Sequence, residues 1–87
     1  MKVIAKPIEM LSISDSTGDV KPIKFRMKLE DKSLTTIKVD RIIRRESSKR
    51  AGEVAYIYTC ESLIQDELKL YELRYTLSSC IWVLYKM

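Results

Sequence analysis

The 87-residue chain contains no histidine. It therefore lacks the side chain most often used as a general base near neutral pH and most often bound to metals. Its two cysteines, Cys60 and Cys80, fall in segments that read as strands, with neither metal-ligand spacing nor a CxxC pair. Glu, Asp, Lys and Tyr are present, but no motif sets two of them together as acid and base. Cys60 would need an activating base or a positive local field to act as a nucleophile, and its place in a strand reads as packing. The expectation is a protein with no catalytic residues, no metal site and no cofactor.

Long apolar runs are missing too. No stretch approaches the roughly 18 consecutive apolar residues of a membrane span. Met1-Lys2-Val3-Ile4-Ala5 runs straight into Lys6-Pro7, leaving no apolar core for a secretory signal. A cytoplasmic protein without membrane contact is expected, its thiols reduced and serving as small apolar side chains. A Cys60–Cys80 bridge would need neighbouring strands and an oxidising compartment. Internal repeats and low-complexity tracts are absent.

Present instead is a strong β pattern. Ile23, Phe25, Met27 and Leu29 alternate with Lys24, Arg26, Lys28 and Glu30, the period-two signature of a half-buried strand. With 46% apolar and 32% charged residues, the chain suits one small folded domain spanning 1–87. Residues 2–14 read as a first strand, made an edge or bent by Pro7. Asp15–Asp19 is a turn in which Gly18 can take positive φ, residues 22–29 form the second strand, and Glu30–Ser33 form another turn.

A third strand over about 34–44 breaks phase, because Ile37 and Val39 share one face while Ile42 takes the other. A bulge near Asp40-Arg41 would return Ile42 inward and bend the strand; a short helix ending at Gly52 is the alternative. Residues 45–53 read as an exposed basic loop, and 54–61 as a strand apolar on both faces. Residues 61–76 fit two templates. Ile64, Leu68, Tyr71 and Tyr75 make a helical stripe, yet Tyr71, Leu73, Tyr75 and Leu77 alternate as a strand. The following run Cys80-Ile-Trp-Val-Leu-Tyr85 favours a hairpin joining 68–77 to 80–86. The fold expected is all-β: a small, twisted antiparallel meander of about six strands closing toward a barrel. An α+β fold with a helix at about 61–76 is the alternative.

Charge is unevenly spread. Between Lys21 and Arg50, eleven bases stand against four acids, giving +7, while the remainder has five bases and eight acids, giving −3. Clustered bases suit phosphates or an acidic partner. Lys24, Arg26, Lys28, Lys38, Arg41, Arg44 and Arg45 are the candidate phosphate-binding residues, with tyrosines as stacking surfaces if they point outward. A solvated strand face and a charged loop would give the same composition.

The last strand is apolar on both sides, with Cys80, Trp82 and Leu84 on one and Ile81, Val83 and Tyr85 on the other. A small barrel has one interior, so Ile81, Val83 and Tyr85 are the candidate interface, unless residues 61–67 fold over them. The reading is a non-catalytic interaction module, contacting a protein partner or a second copy of itself. Its alternative is a nucleic-acid-binding accessory protein.

One resemblance bears on that alternative. Pro22-x-x-Phe25-Arg26, Ile37-Lys-Val39-x-x-Ile42-Ile43, Tyr71-Glu72-Leu73-x-Tyr75 and Trp82-x-Leu84-Tyr85-Lys86 together resemble small uncharacterised bacterial β-rich domains. Those domains occur beside, or at the end of, proteins similar to lesion-bypass DNA polymerases. The resemblance implies a non-catalytic accessory role near DNA repair and carries over no functional residue.

Overall fold

The computed structural model describes residues 1–28 and 31–87. Leu29 and Glu30, read as the end of the second strand and the start of a turn, lie outside the described residues. The fold is all-β, with seven antiparallel strands in one curled sheet: β1 (Val3–Ser14), β2 (Val20–Lys28), β3 (Leu34–Lys38), β4 (Arg41–Arg50), β5 (Glu53–Ile64), β6 (Glu67–Thr76) and β7 (Ile81–Lys86). Their order is β3-β2-β1-β7-β6-β5-β4. Every sequential step is between neighbours except β3 to β4, the two ends of the sheet. The half-barrel is therefore open where the sequence suggested one continuous bent strand.

Two meanders, β1–β3 and β4–β7, are joined by β1. Its first half pairs with β7 (Ile8 opposite Trp82) and its second half with β2 (Glu9 opposite Arg26). Pro7 lies in the half paired to β7. Just before it, Ala5 takes φ 50° where the β1–β7 register shifts, so the strand bends there, as a bulge requires.

The concave face holds the core: Phe25, Ile37, Tyr58, Cys60, Tyr71, Leu73, Trp82 and Leu84. Phe25 meets Tyr71 edge-on at 5.6 Å, while Tyr58 and Tyr75 flank Trp82 at 5.3 and 4.8 Å between ring centroids. Pro22 and Phe25 both face inward because the β1–β2 register shifts by one residue at Leu11/Ser12. The alternation of Lys24, Arg26 and Lys28 against Phe25 and Met27 is as the sequence implied: the first three are exposed and the others turn inward.

Of three readings of the sequence the first holds: residues 61–76 are strand and turn, as the favoured hairpin required, and the alternative helix is not formed; the other two are corrected. β5 continues to Ile64, Gln65 and Asp66 turn at φ 51° and 62°, and β6 runs from Glu67; pairing with β5 on one side and β7 on the other outweighs the helical stripe. Second, residues 45–50 are not a loop. They extend β4 along β5 to a two-residue turn, Ala51-Gly52, with positive φ at both positions, the backbone of a tight hairpin. This strand raises the count from six to seven. Third, Cys80 lies in the exposed turn before β7 at φ 58°. The phase break at 39–42 does bring Ile42 inward against the core. The chain achieves this by leaving one sheet end at Val39-Asp40 and starting a new strand, with the register shift at Ile42/Arg44.

The crossover is pinned from below. Ser62, a side chain with no solvent exposure, donates to the Lys38 carbonyl at 2.6 Å, shares a 2.6 Å hydrogen bond with Tyr71 Oη and accepts from the Asp40 amide at 3.3 Å. The Leu63 amide donates to the Asp40 carboxylate at 2.8 Å. Between the β1 and β2 strands, the Asp15 carboxylate accepts from the Thr17 hydroxyl and from the Thr17 and Asp19 amides, which holds it below the usual Asp range.

Candidate interaction surfaces

Residues directly opposite in a ladder share a face, so the registers map the outer surface in rows. On β1–β2–β3 one row reads Leu11, Lys24, Lys38, and the next reads Glu9, Arg26, Thr36; Lys21 stands opposite Ile13 and Lys28 opposite Leu34. Lys24 and Lys38 are thus immediate neighbours on adjacent strands. Among the described residues neither is in an ion pair, and nor is Lys21. Arg26 differs, because Glu9 takes its guanidinium at 2.6 Å. Leu11, Ile13 and Leu34, on the same face as the lysines, are 54%, 56% and 58% exposed.

The β4 arginines do not join this stripe. They lie on the last strand at the other end of the sheet, each with an acid: Arg41 with Glu61 at 3.8 Å, Arg44 with Glu46 at 2.8 Å, Arg45 with Asp19 at 3.3 Å. Arg45 alone of the three opposes an inward-facing residue, Tyr58. Its guanidinium lies 4.7 Å from the Tyr56 ring centroid, and with Asp19 it spans the gap between β2 and β4. The Tyr58 hydroxyl crosses the same gap to the Val20 carbonyl, and burial raises the Tyr58 pKa. Beneath these bridges is a cleft of about 500 Å³ lined by Val20, Pro22, Ile23, Val39, Ile42 and Arg41 among others.

The outer strip of β7 is smaller than its sequence suggests. Ile81 is half-exposed, but Val83 sits opposite Arg74, whose guanidinium lies over the Tyr85 ring at 3.5 Å with Glu72 at 3.6 Å. Part of the cover comes from the neighbouring strand, and residues 61–67 do not fold over the strip. Tyr58 and Tyr71 are buried in the core, and Tyr56 and Tyr75 pack against it from the same concave face. No tyrosine of the described residues stands beside Lys24 and Lys38.

Sequence reading missed the aliphatics among the lysines. It also missed Leu63, Leu68 and Leu70, exposed at the far end of the β5–β6 hairpin, where Leu63 opposes Leu68. β1 and the β5–β6 hairpin are apolar in both phases, so alternation does not say which phase faces out.

Burial pushes the Cys60 thiol up to about 12, which keeps it protonated and shielded. A thiol reagent applied to the native protein should therefore modify Cys80 alone, with Cys60 reacting only after denaturant. Equal labelling of both in the native state would contradict this packing. Among the described residues no His, Cys, Asp and Glu side chains gather as a metal site, and no helix is long and apolar enough to cross a membrane. Compared with known protein families, curated proteins and solved structures, the chain matches none.

Proposed function

We propose that the chain is a non-catalytic interaction module that docks a protein partner through the outer face of β1, β2 and β3. The observation that carries this reading is the juxtaposition of Lys24 and Lys38, unpaired and side by side, with exposed Leu11, Ile13 and Leu34 on the same face. Like charges directly opposite on neighbouring strands repel, and a carboxylate placed over the pair relieves that repulsion. The aliphatic side chains gain by leaving water, at about 25 cal/mol per Å² of apolar surface. A partner surface with acids set among apolar side chains satisfies both.

Single-stranded nucleic acid would satisfy the lysines but not the aliphatics, and it would find no aromatic platform of the kind such ligands stack on. Two variants separate the readings. Lys24→Glu with Lys38→Glu removes the charge, and Leu11→Ser with Ile13→Ser removes the apolar part; all four side chains are exposed, so the fold should tolerate either pair. Each variant, tagged, is used to capture partners from cell extract beside the unaltered protein, and each is titrated with a labelled single-stranded oligonucleotide at two salt concentrations. A protein retained by the unaltered chain should be lost with both variants, by roughly tenfold or more in affinity. Oligonucleotide binding that survives moderate salt, is lost with the glutamate pair and persists with the serine pair would replace this reading with nucleic-acid binding.

A further inference from the structure

A second surface lies at the opposite end of the sheet. β4 is a terminal strand of ten residues, hydrogen-bonded to β5 along its length and to no other strand among the described residues, with the Arg45 side chain reaching across the gap to Asp19. The hairpin fixes which of its backbone groups are free. Across a two-residue turn the flanking residues, here Arg50 and Glu53, exchange both hydrogen bonds. Bonded and non-bonded positions then alternate, so Arg44, Glu46, Ser48 and Arg50 turn their amides toward β5. Arg45, Ser47 and Lys49 turn theirs to the open edge. The Leu77 amide donates to the Val54 carbonyl, which places Val54 with its back to β4, as this phase requires of the partner of Lys49.

We infer that the free edge of β4 is a strand-addition site for an extended acidic segment of another protein. From Arg44 to Arg50 the pairing with β5 is continuous, giving a regular template of the kind that accepts an added strand. Five bases against the single acid Glu46 give β4 a charge of +4. That charge selects the occupant. In the register that pairs 44–50 of two copies along its whole length, Arg44 would face Arg50 and Arg45 would face Lys49, an arrangement that repels. A strand carrying carboxylates at alternate positions sets them all on one face, where they meet attraction from Lys49 beside Arg45 or, in the other phase, from Arg50 beside Arg44. This surface is distinct from the lysine face, and the inference stands whether or not that face docks a partner.

The probe is a fluorescein-labelled nine-residue peptide alternating glutamate and valine, with a counterpart carrying lysine in place of glutamate. Binding is followed by anisotropy, and amide exchange of the protein by NMR. The glutamate peptide should bind at least tenfold more tightly than the lysine peptide, and it should slow exchange at Arg45, Ser47 and Lys49. Exchange at Arg44, Glu46 and Ser48 is already slowed by β5 and should change little. Ser47→Pro deletes an edge amide without touching the β4–β5 ladder, and should weaken the glutamate peptide about tenfold. If that variant fails to fold, Lys49→Glu with Arg50→Glu supplies the same test through charge. Absence of glutamate-peptide binding, or binding that leaves the three edge amides unprotected, overturns the inference. So does protection of those amides that grows with protein concentration alone, which would make the occupant a second copy.

Discussion

Replacing Trp82 with alanine should cost about 3–5 kcal/mol of stability, the range for truncating a large buried aromatic. A chain of this length has roughly 4–13 kcal/mol in total, so the variant is expected to lose most of its cooperative unfolding transition. Trp82 is 5% exposed, flanked by Tyr58 and Tyr75, and opposite Ile8 across the β1–β7 ladder. Among the described residues that ladder is the one strand pairing that joins the two meanders, so the cavity opens at the joint of the half-barrel rather than at its rim. Far-UV circular dichroism during heating is the suitable readout, because Trp82 is the only tryptophan and its fluorescence disappears with the substitution. Trp82→Phe, which keeps a ring between the two tyrosines, should retain a cooperative transition at a lower temperature. At about 4–8 °C per kcal/mol for a domain of this size, a fall of only a few degrees in Trp82→Ala would mean that the joint is held elsewhere.

The importance of Trp82 is visible in the sequence, since Trp82 and Leu84 alternate with Ile81 and Val83 in a run that only a buried strand explains. The same holds for Phe25 and Met27 against three basic residues. What alternation does not give is a strand without apolar residues. Arg45-Glu46-Ser47-Ser48-Lys49-Arg50 has none, and it is a strand because the β5 ladder and the Ala51-Gly52 turn hold it there; its inward positions Arg45, Ser47 and Lys49 are all exposed, and so need no apolar side chain. Nor does a sequence state register. Lys24 and Lys38 become neighbours only once β2 and β3 are aligned, and Arg26 is removed from the free charges only once β1 brings Glu9 opposite it. The candidate surfaces are products of pairing between distant segments, which explains why their residues could be named individually but not grouped.

Ser62 shows how much depends on one such pairing. Ser62→Ala should destabilise the fold by about 2–3 kcal/mol, since it strands the Lys38 carbonyl, the Asp40 amide and the Tyr71 hydroxyl without their shared partner. Tyr71→Phe should cost less, about 1–1.5 kcal/mol, because Ser62 keeps its bond to Lys38. The double variant should be less destabilised than the sum of the two by about 1 kcal/mol, the coupling expected of groups in one hydrogen-bonded network. Urea denaturation of the four proteins measures this, and strict additivity would mean that Ser62 and Tyr71 act separately. Alkaline pH tests the burial of the Tyr71 hydroxyl separately. Burial raises Tyr71 from 10.0 to about 12, so the folded chain holds this proton after the unfolded chain has released it. The corresponding stability is complete below pH 10 and is lost as the pH rises toward 12. Cys60, raised from 9.0 to about 12, starts the same decline one unit earlier. Tyr71→Phe should therefore be less stable than the unaltered protein at neutral pH yet lose stability more slowly above pH 10, a difference in slope that reports the burial of the Tyr71 hydroxyl in the folded chain.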